Sequence, residues 1–371
     1  MTALSSNGRT PDFGSGYPGS NPGGASFGRP TVSVVIPACN AAKTLTRCVQ
    51  TAEGSTYPLL EIIVVDDGSN DATAVLAEQA GCRVIRLTSR GGPGSARNRG
   101  ASEARGELIM FLDSDTEVEP ATIENAVTRL VQARADAVVG IYSRTPLSRG
   151  FFARYYGLLK YTSHARRVCD DYNVFASQCA LIRREAFQAV GGFSPLPPGV
   201  DVENEELGRR LAARGRMVLD PAVQVRHAFR GFLPMMPVLF RRSAWWTRYF
   251  TVHRTFEATL TTLTSAVAAC LGPLSVLALV SSMGVARAWL RGSLAAAGLA
   301  ALAGFIAAHA GFLACCRREA GWAFAAAALV TTLVVTSIVA VGAAWGLLSA
   351  PFTRGVLTTA RWSSASGVAS S

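Results

Sequence analysis

The chain has 371 residues, a formal net charge of +11 at pH 7 and a mean hydropathy of +0.26. Its eight cysteines form no Cys-x-x-Cys pair and show no regular spacing, which argues against a zinc site or a disulfide framework. The positive charge does not indicate nucleic acid as a partner, because no nucleic-acid module is recognisable and six arginines crowd the start of an apolar region instead: Arg226, Arg230, Arg241, Arg242, Arg248 and Arg254.

The first 29 residues are rich in glycine, serine, proline and asparagine, and we predict that this segment, 1–29, is disordered. Short apolar runs at 31–36, 61–65, 83–87 and 108–112 then alternate with helical patterns at 42–53, 71–80 and 95–104. Strands and helices that alternate at these lengths form right-handed βαβ units. The sequence therefore predicts an α/β domain with a Rossmann-like, mostly parallel sheet at residues 30–228.

The fourth predicted strand runs directly into Asp113-Ser114-Asp115. Two carboxylates at the end of a buried strand need a cation or hydrogen-bond donors to offset their charge. Ligands bind at the carboxyl edge of open α/β sheets, and oxygen ligands suit Mg²⁺ or Mn²⁺. The alternative is an acidic turn that caps the next helix. We predict a metal and ligand site at this edge.

Beyond Asp115 the pattern is less regular. Helices are predicted at 119–134 and 203–214, and a strand at 137–142. The intervening residues 143–200 read as irregular, with a helix near 151–160 and a strand near 175–183.

The last third of the chain is almost without charge. Three stretches there exceed the ~20 residues needed to cross a bilayer, so we predict a membrane region at 258–353 with spans at 258–286, 292–316 and 320–350. Residues 229–257 mix aromatic residues with arginines, which is typical of helices that lie in the membrane interface. The arginine excess before the first span predicts an integral protein of the cell membrane whose α/β domain is cytoplasmic. The tail at 354–371 is predicted to be disordered.

Six blocks in the α/β domain occur together and in order: Val34-Val35-Ile36-Pro37-Ala38-Cys39-Asn40, Val65-Asp66-Asp67-Gly68-Ser69, Ala96-Arg97-Asn98-Arg99-Gly100, Phe111-Leu112-Asp113-Ser114-Asp115, Gly191-Gly192-Phe193 and Glu206-Leu207-x-x-Arg210-Leu211-x-x-x-Gly215. With these blocks the chain resembles glycosyltransferase family 2, inverting enzymes of the GT-A (nucleotide-diphospho-sugar transferase) fold, over residues 31–227. The resemblance implies a nucleotide-diphosphate sugar as donor and a divalent cation, Mn²⁺ or Mg²⁺, as cofactor.

The resemblance also implies roles for single residues. Asp67 would read the nucleoside base, and Asp66 beside it would join the nucleotide site or only cap the turn. Asn40 and Pro37 would shape the nucleoside pocket, Gly92 would let the backbone approach the nucleotide, and Arg97 would face the base or the diphosphate. Asp113 would lie near the ribose and the metal, with Asp115 and His227 as further metal ligands.

The chain departs from the family at the general base. The family pattern Glu-Asp-x-(Asp/Glu)-Leu supplies an aspartate that takes the acceptor's proton. This chain reads Glu203-Asn204-Glu205-Glu206-Leu207, and an amide cannot accept that proton. Either Glu203 or Glu205 serves instead, or the acceptor is a polyprenyl phosphate that needs no base, or the chain is a catalytically impaired membrane scaffold. We favour the first interpretation.

These observations predict an inverting glycosyltransferase that acts at a membrane. Its acceptor would be a lipid-linked sugar or a glycan precursor, and its context would be cell-envelope or polysaccharide biosynthesis. Membrane lipids are the other predicted partner.

Overall fold

The computed structural model describes residues 28–165, 168–197, 199–254 and 263–358. Most of the predicted N-terminal tail and residues 359–371 lie outside these ranges. The strands are β1 (Val32–Ala38), β2 (Glu61–Asp66), β3 (Arg83–Arg86), β4 (Leu108–Leu112), β5 (Thr116–Val118), β6 (Ala137–Tyr142), β7 (Cys179–Arg183) and β8 (Met217–His227). The helices are α1 (Leu45–Glu53), α2 (Thr73–Gln79), α3 (Pro93–Glu103), α4 (Thr122–Gln132), α5 (Phe151–His164), α6 (Arg184–Ala189), α7 (Glu203–Ala212), α8 (Phe232–His253), α9 (Leu263–Met283), α10 (Ala288–Ala308) and α11 (Ala310–Thr358).

The eight strands form one sheet in the order β3-β2-β1-β4-β7-β6-β8-β5. The strands β1 to β4 pair in parallel, as predicted from the alternation of strands and helices. Every residue of β1 and β4 is buried. Alternate residues enter opposite cores, so that Val34 packs on one face of the sheet and Val35 on the other.

The second half of the sheet differs from the first. Strand β7 runs antiparallel to both β4 and β6, and the short strand β5 runs antiparallel to β8. The irregular pattern of residues 143–200 predicted the helix α5 and a strand near β7 but gave no sign of α6, and residues 116–118 gave no sign of β5. Those two elements are only six and three residues long, too short to show a periodicity.

Three C-terminal helices, α9, α10 and α11, are long and apolar enough to cross a membrane. Their exposed apolar side chains, among them Leu277, Val330 and Leu348, form surfaces that a bilayer would cover. The helix bounds differ from the predicted spans. The second span breaks at His309, and the non-helical Gly321 interrupts α11 at a φ of +84°, a conformation that glycine adopts without strain. Helix α11 then continues past the predicted boundary at residue 353.

Helix α8 forms most of the segment predicted to lie in the interface, and it packs along the C-terminal half of α11. Two glycines allow close approach: a Cβ at Gly342 would meet Ser243, and one at Gly346 would meet the backbone of Ala244. The Arg248 guanidinium donates hydrogen bonds to Ser349 Oγ at 2.8 and 3.0 Å. Residues 255–262, between α8 and α9, lie outside the described ranges.

Helix α5 of the α/β domain also contacts α11. Tyr155 and Thr332 share a hydrogen bond of 3.2 Å between their hydroxyl oxygens, and the Phe151 ring lies 4.9 Å from that of Phe324. The Arg144 guanidinium pairs with the Glu319 carboxylate at 3.3 Å. The α/β domain is therefore joined to α11 through both α5 and α8.

Candidate functional site

A cavity of about 420 Å³ opens at the carboxyl ends of β1, β2 and β4. We call it the aspartate cavity, because four aspartates line it: Asp67, Asp113, Asp115 and Asp201. Parallel strands bring their carboxyl ends to one sheet edge, so loops that are far apart in sequence meet there. Four more of the sequence-predicted residues line it: Pro37, Arg97, Glu203 and Asn204.

The Asp67 carboxylate organises the glycine-rich loop before α3. Its two oxygens accept hydrogen bonds from the backbone N–H groups of Gly91 at 2.7 Å and Gly92 at 2.9 Å. Gly92 has a φ of +83°, which suits glycine. Asp67 is only 5% exposed, so these two donors offset a nearly buried charge. A carboxylate has about four acceptor positions, which leaves capacity for a further donor.

Two other residues predicted to contact the nucleotide form hydrogen bonds that hold the loops behind the cavity. Asp66 Oδ1 accepts a hydrogen bond from Ser69 N at 3.2 Å, which caps the turn after β2. Asn40 Oδ1 accepts one from Asn70 N at 2.8 Å, and Asn40 N donates to Ser69 Oγ at 2.9 Å. Asp66, Asn40 and Gly92 lie outside the lining of the cavity, and their contact with a nucleotide stays a prediction.

Arg97 is a nearly buried cation in the wall of the aspartate cavity, which Arg230, Arg241 and Arg242 also line. It is 4% exposed, its Nη2 lies 2.6 Å from Asp113 Oδ1, and its guanidinium lies 5.4 Å from the centre of the Phe193 ring. Its Nε and Nη1 are buried and have no hydrogen-bond partner among the described residues. Buried donors of this kind are costly unless a ligand accepts from them, so Arg97 is suited to bind an anion.

Asp113, Asp115 and His227 come together as a possible metal site. One ligand atom from each of the three lies within 4.8 Å of the others, and His227 Nε2 is 3.3 Å from Asp115 Oδ1. Burial raises the pKa of Asp115 above its ordinary value, and the neighbouring Asp113 adds to this while His227 opposes it. His227 Nδ1 is buried without a partner among the described residues. Two carboxylates and an imidazole are a donor set that fits Mn²⁺ or Mg²⁺.

Helix α7 brings the candidate base residues to the same edge. A buried ion pair positions it, with Arg210 donating to Glu206 Oε1 at 2.6 Å and to the carbonyl of Gly192 at 2.7 Å. Glu206 also accepts from Ser194 Oγ at 2.8 Å. The dipole of the helix favours acidic residues in this first turn. The contacts of this ion pair with Gly192 and Ser194 anchor α7 to the turn after α6.

A second cavity of about 330 Å³ adjoins the first, and we call it the α5–α8 cavity because side chains of those two helices line it. The two cavities share nine lining residues, among them Asp113, Asp115, Asn204 and Arg230. Glu203 faces the aspartate cavity and Glu205 the α5–α8 cavity, so Asn204 lies at their junction. Asn204 Oδ1 is buried without a hydrogen-bond partner among the described residues.

Several residues of this junction carry no signal in the sequence. Tyr142 and Arg242 line both cavities, and Lys160 lines the α5–α8 cavity. The Tyr142 ring stands edge-on to that of His227 at 5.2 Å. None of these residues belongs to a recognised block. Lys160 is nevertheless one of only two lysines in the chain, and it lies in an aromatic-rich helix.

Comparison with known proteins shows which family the α/β domain resembles. Residues 33–191 match the sequence model of the family described as Glycosyl transferase family 2. The glycosyltransferase GlyG of Streptococcus pneumoniae serotype 4 is 37% identical over 129 residues, 33% of this chain and 43% of GlyG. The succinoglycan biosynthesis protein ExoO of Rhizobium meliloti is 38% identical over 113 residues, 30% of this chain and 32% of ExoO. The chain thus spans less than half the length of these relatives.

A solved structure agrees on the fold. The mannosyltransferase PcManGT from Pyrobaculum calidifontis, determined in complex with GDP-Man and Mn²⁺, superposes with a TM-score of 0.50 at 21% identity. The match covers 88% of this chain and 87% of that one. The predicted GT-A fold is confirmed.

Proposed function

Since this chain carries a glycosyltransferase family 2 domain, we propose that it is an inverting glycosyltransferase that moves a sugar from a nucleotide-diphosphate sugar to a membrane-associated acceptor. One observation carries the proposal: the aspartate cavity combines Asp67, the Arg97 donors that have no partner among the described residues, and the carboxylates of Asp113 and Asp115, beside which His227 lies. A nucleoside diphosphate offers matching groups, namely a base with N–H donors and anionic phosphates.

The residues at the junction of the cavities support an inverting reaction. The acceptor oxygen would form a bond to the anomeric carbon while the bond from that carbon to the diphosphate oxygen breaks. A divalent cation held by Asp113, Asp115 and His227 would stabilise the negative charge on the leaving diphosphate. The proton of an acceptor hydroxyl would pass to Glu203 or Glu205, which flank Asn204 on opposite sides.

The membrane helices support a membrane-associated acceptor. Helices α5 and α8 wall the second cavity, and both pack on α11, one of the three candidate spans. A lipid-linked sugar or glycan precursor held in the bilayer would present its head to this cavity. The arginines that precede the first span support a cytoplasmic location for the catalytic domain, and the ExoO similarity supports a role in polysaccharide or cell-envelope biosynthesis.

A panel of nucleotide sugars tests the proposal. Transferases of this kind hydrolyse their own donor slowly, so release of the nucleoside diphosphate from the full chain in detergent would be followed with Mn²⁺, with Mg²⁺ and with chelator. We expect hydrolysis of at least one donor, dependent on the metal and lost in Asp113→Asn. If no nucleotide sugar binds or is hydrolysed under any of these conditions, the membrane-scaffold alternative is preferred.

A phosphate acceptor is the second candidate, and Asn204 is the observation that favours it. A phosphate oxygen is already anionic and attacks without a base. The family's base position lies at the junction of the cavities but holds an amide whose oxygen has no partner among the described residues. The variant Asn204→Asp, considered in the Discussion, separates the two candidates.

A further inference from the structure

We propose that the α5–α8 cavity binds the phosphate group of a lipid acceptor, and that Lys160 and Arg230 are the cations that hold it. The inference rests on the proposed function, because it assigns the acceptor side of the same site. Lys160 extends from α5, and Arg230 follows β8. Neither side chain has an ion-pair partner within 4.0 Å among the described residues, although both line the cavity.

The other two cations of this cavity are already balanced. Arg241 pairs with Asp201, with its Nε 2.7 Å from the Asp201 Oδ2. Burial is the largest single influence on Arg242 and lowers its pKa, but Glu205 and, in smaller measure, Tyr156, Tyr142 and Glu203 together outweigh it, so the pKa is raised. Lys160 and Arg230 are the remaining cations of this lining, and neither has an ion-pair partner within 4.0 Å among the described residues. Arg230 is exposed, also lines the aspartate cavity and interacts electrostatically with Asp115.

The surroundings of Lys160 favour an anionic ligand. Its ammonium lies 5.5 Å from the centre of the Tyr156 ring, and Phe229, Met235 and Val238 add apolar wall. Burial lowers the pKa of the adjacent His164 to about 4, so this histidine is neutral at pH 7 and neither competes with nor repels a phosphate. An ammonium in such a wall is stabilised when an anion reaches it.

The position of the cavity indicates a lipid as the source of the phosphate. Its walls α5 and α8 both pack on α11, through Tyr155–Thr332 and through Gly342 and Gly346. No described α11 residue lines the cavity, so α5 and α8 would separate a head group there from the apolar helix along which its tail can extend. A free phosphate ion would gain nothing from this neighbour.

Amine acylation tests the binding directly. The full chain in nanodiscs would be treated with an acetylating reagent, and the modification of Lys160 and Lys43, its only lysines, would be followed by peptide mass spectrometry. Lys43 is exposed and absent from both cavity linings, so it is the internal control. A polyprenyl phosphate at about ten times its dissociation constant should slow acetylation of Lys160 about tenfold and leave Lys43 unchanged.

Parallel measurements with other compounds distinguish a lipid phosphate from a free phosphate ion as the ligand. The uncharged polyprenol of the same chain length should give no protection. If inorganic phosphate at the same concentration protects as well as the lipid does, the site takes free phosphate and the lipid assignment is wrong. If no phosphate compound protects Lys160, the inference is overturned, whether or not the donor binds. Donor hydrolysis measured on the same sample reports on the proposed function separately.

Kinetics provide the second test. Lys160→Gln should raise the KM for the lipid acceptor about tenfold or more, because a charge-assisted hydrogen bond is lost, while metal-dependent donor hydrolysis stays unchanged. Lys160→Arg should restore most of the affinity, since the charge returns. Lys43→Gln is the matched control and should match the unmodified chain. A KM in Lys160→Gln within twofold of the unmodified chain would count against the proposal even if the lysine is protected.

Discussion

The two adjoining cavities differ in how the chain builds them. The aspartate cavity is formed by strand ends and the loops that follow them, and backbone donors and ion pairs hold its polar groups. The α5–α8 cavity is formed by the faces of two helices that also pack on an apolar helix. The geometry of the aspartate cavity therefore depends on the sheet, and that of the α5–α8 cavity depends on how its helices pack against the candidate membrane helices.

This difference separates two tasks within the proposed reaction, namely binding of the donor and binding of the acceptor. Groups on a central parallel sheet are held rigidly, which suits the precise recognition of a nucleotide donor. Groups on helix faces change with the packing of those helices, so they suit an acceptor that differs from one membrane protein to another. Asn204 lies where the two cavities meet, at the point where donor and acceptor would react.

The largest effect is expected at the possible metal site. Asp115→Asn should lower donor hydrolysis and transfer about 10³-fold, because it removes a ligand that supports charge on the leaving diphosphate. Asp170→Asn is the matched control, since Asp170 is a surface carboxylate that pairs with Arg129. Activity of Asp115→Asn within tenfold of the unmodified chain, with Mn²⁺ and at equal melting temperature, would contradict the assignment.

Variants at the junction test which cavity supplies the base. We expect a loss of about 10² to 10³-fold in transfer for whichever of Glu203→Gln and Glu205→Gln removes the base, with donor binding retained. Asn204→Asp should preserve or raise transfer to a hydroxyl acceptor. Against a phosphate acceptor the same change should lower transfer, because a new carboxylate repels the anion. If both glutamine variants keep full activity, the acceptor is a phosphate.

The pH profile sharpens the same comparison. Burial raises the pKa of Glu203, and Glu205 adds to this effect while Arg97 and Arg242 oppose it. If Glu203 is the base it must be ionised, so kcat should fall about tenfold per pH unit below its pKa. The midpoint of this fall should lie above the ordinary glutamate value of about 4.3. The acid limb should vanish in Glu203→Gln and persist in Glu205→Gln; the reverse pattern would assign the base to the other cavity.

A smaller effect is expected for Arg97, the nearly buried cation of the aspartate cavity. Arg97→Gln should raise the KM for the donor about 10 to 100-fold, because two buried donors and the pair with Asp113 are lost. Arg99 lies on the same helix, is exposed and pairs with Glu103, so Arg99→Gln is the matched control. An unchanged donor KM with a raised acceptor KM would move Arg97 to the acceptor side.

The smallest effect is expected where the α/β domain meets α11. Tyr155→Phe removes the buried hydrogen bond to Thr332 and should lower the free energy of unfolding by about 1 kcal/mol. Thermal unfolding in detergent measures this change. Donor hydrolysis should not change, because Tyr155 lines neither cavity. A loss of donor hydrolysis in this variant would show that the two cavities are coupled through α5.

The amino-acid sequence by itself determined much of the aspartate cavity. Apolar runs that end in polar residues predicted the parallel strands and brought Asp67 and Asp113 to one edge, because side chains at the ends of parallel strands are neighbours whatever the loops do. The lengths of the three stretches without charged residues likewise predicted three candidate spans, because the thickness of a bilayer sets how many apolar residues a span needs. The loop-bracing contacts of Asn40 were not predicted, because motif resemblance carries no hydrogen-bond geometry.

Only the tertiary structure decided the α5–α8 cavity. Lys160 lies on α5, Arg230 on the connection after β8 and Arg242 on α8, and nothing in the sequence around any one of them indicates that they face the same space. The tertiary structure also decided what the ion pair of Glu206 with Arg210 contacts. Both residues lie on α7, but Arg210 also donates a hydrogen bond to the carbonyl of Gly192, in the turn after α6. The physical reason is that strand patterns repeat every two residues and report burial locally, whereas helix-to-helix contacts depend on packing between distant segments.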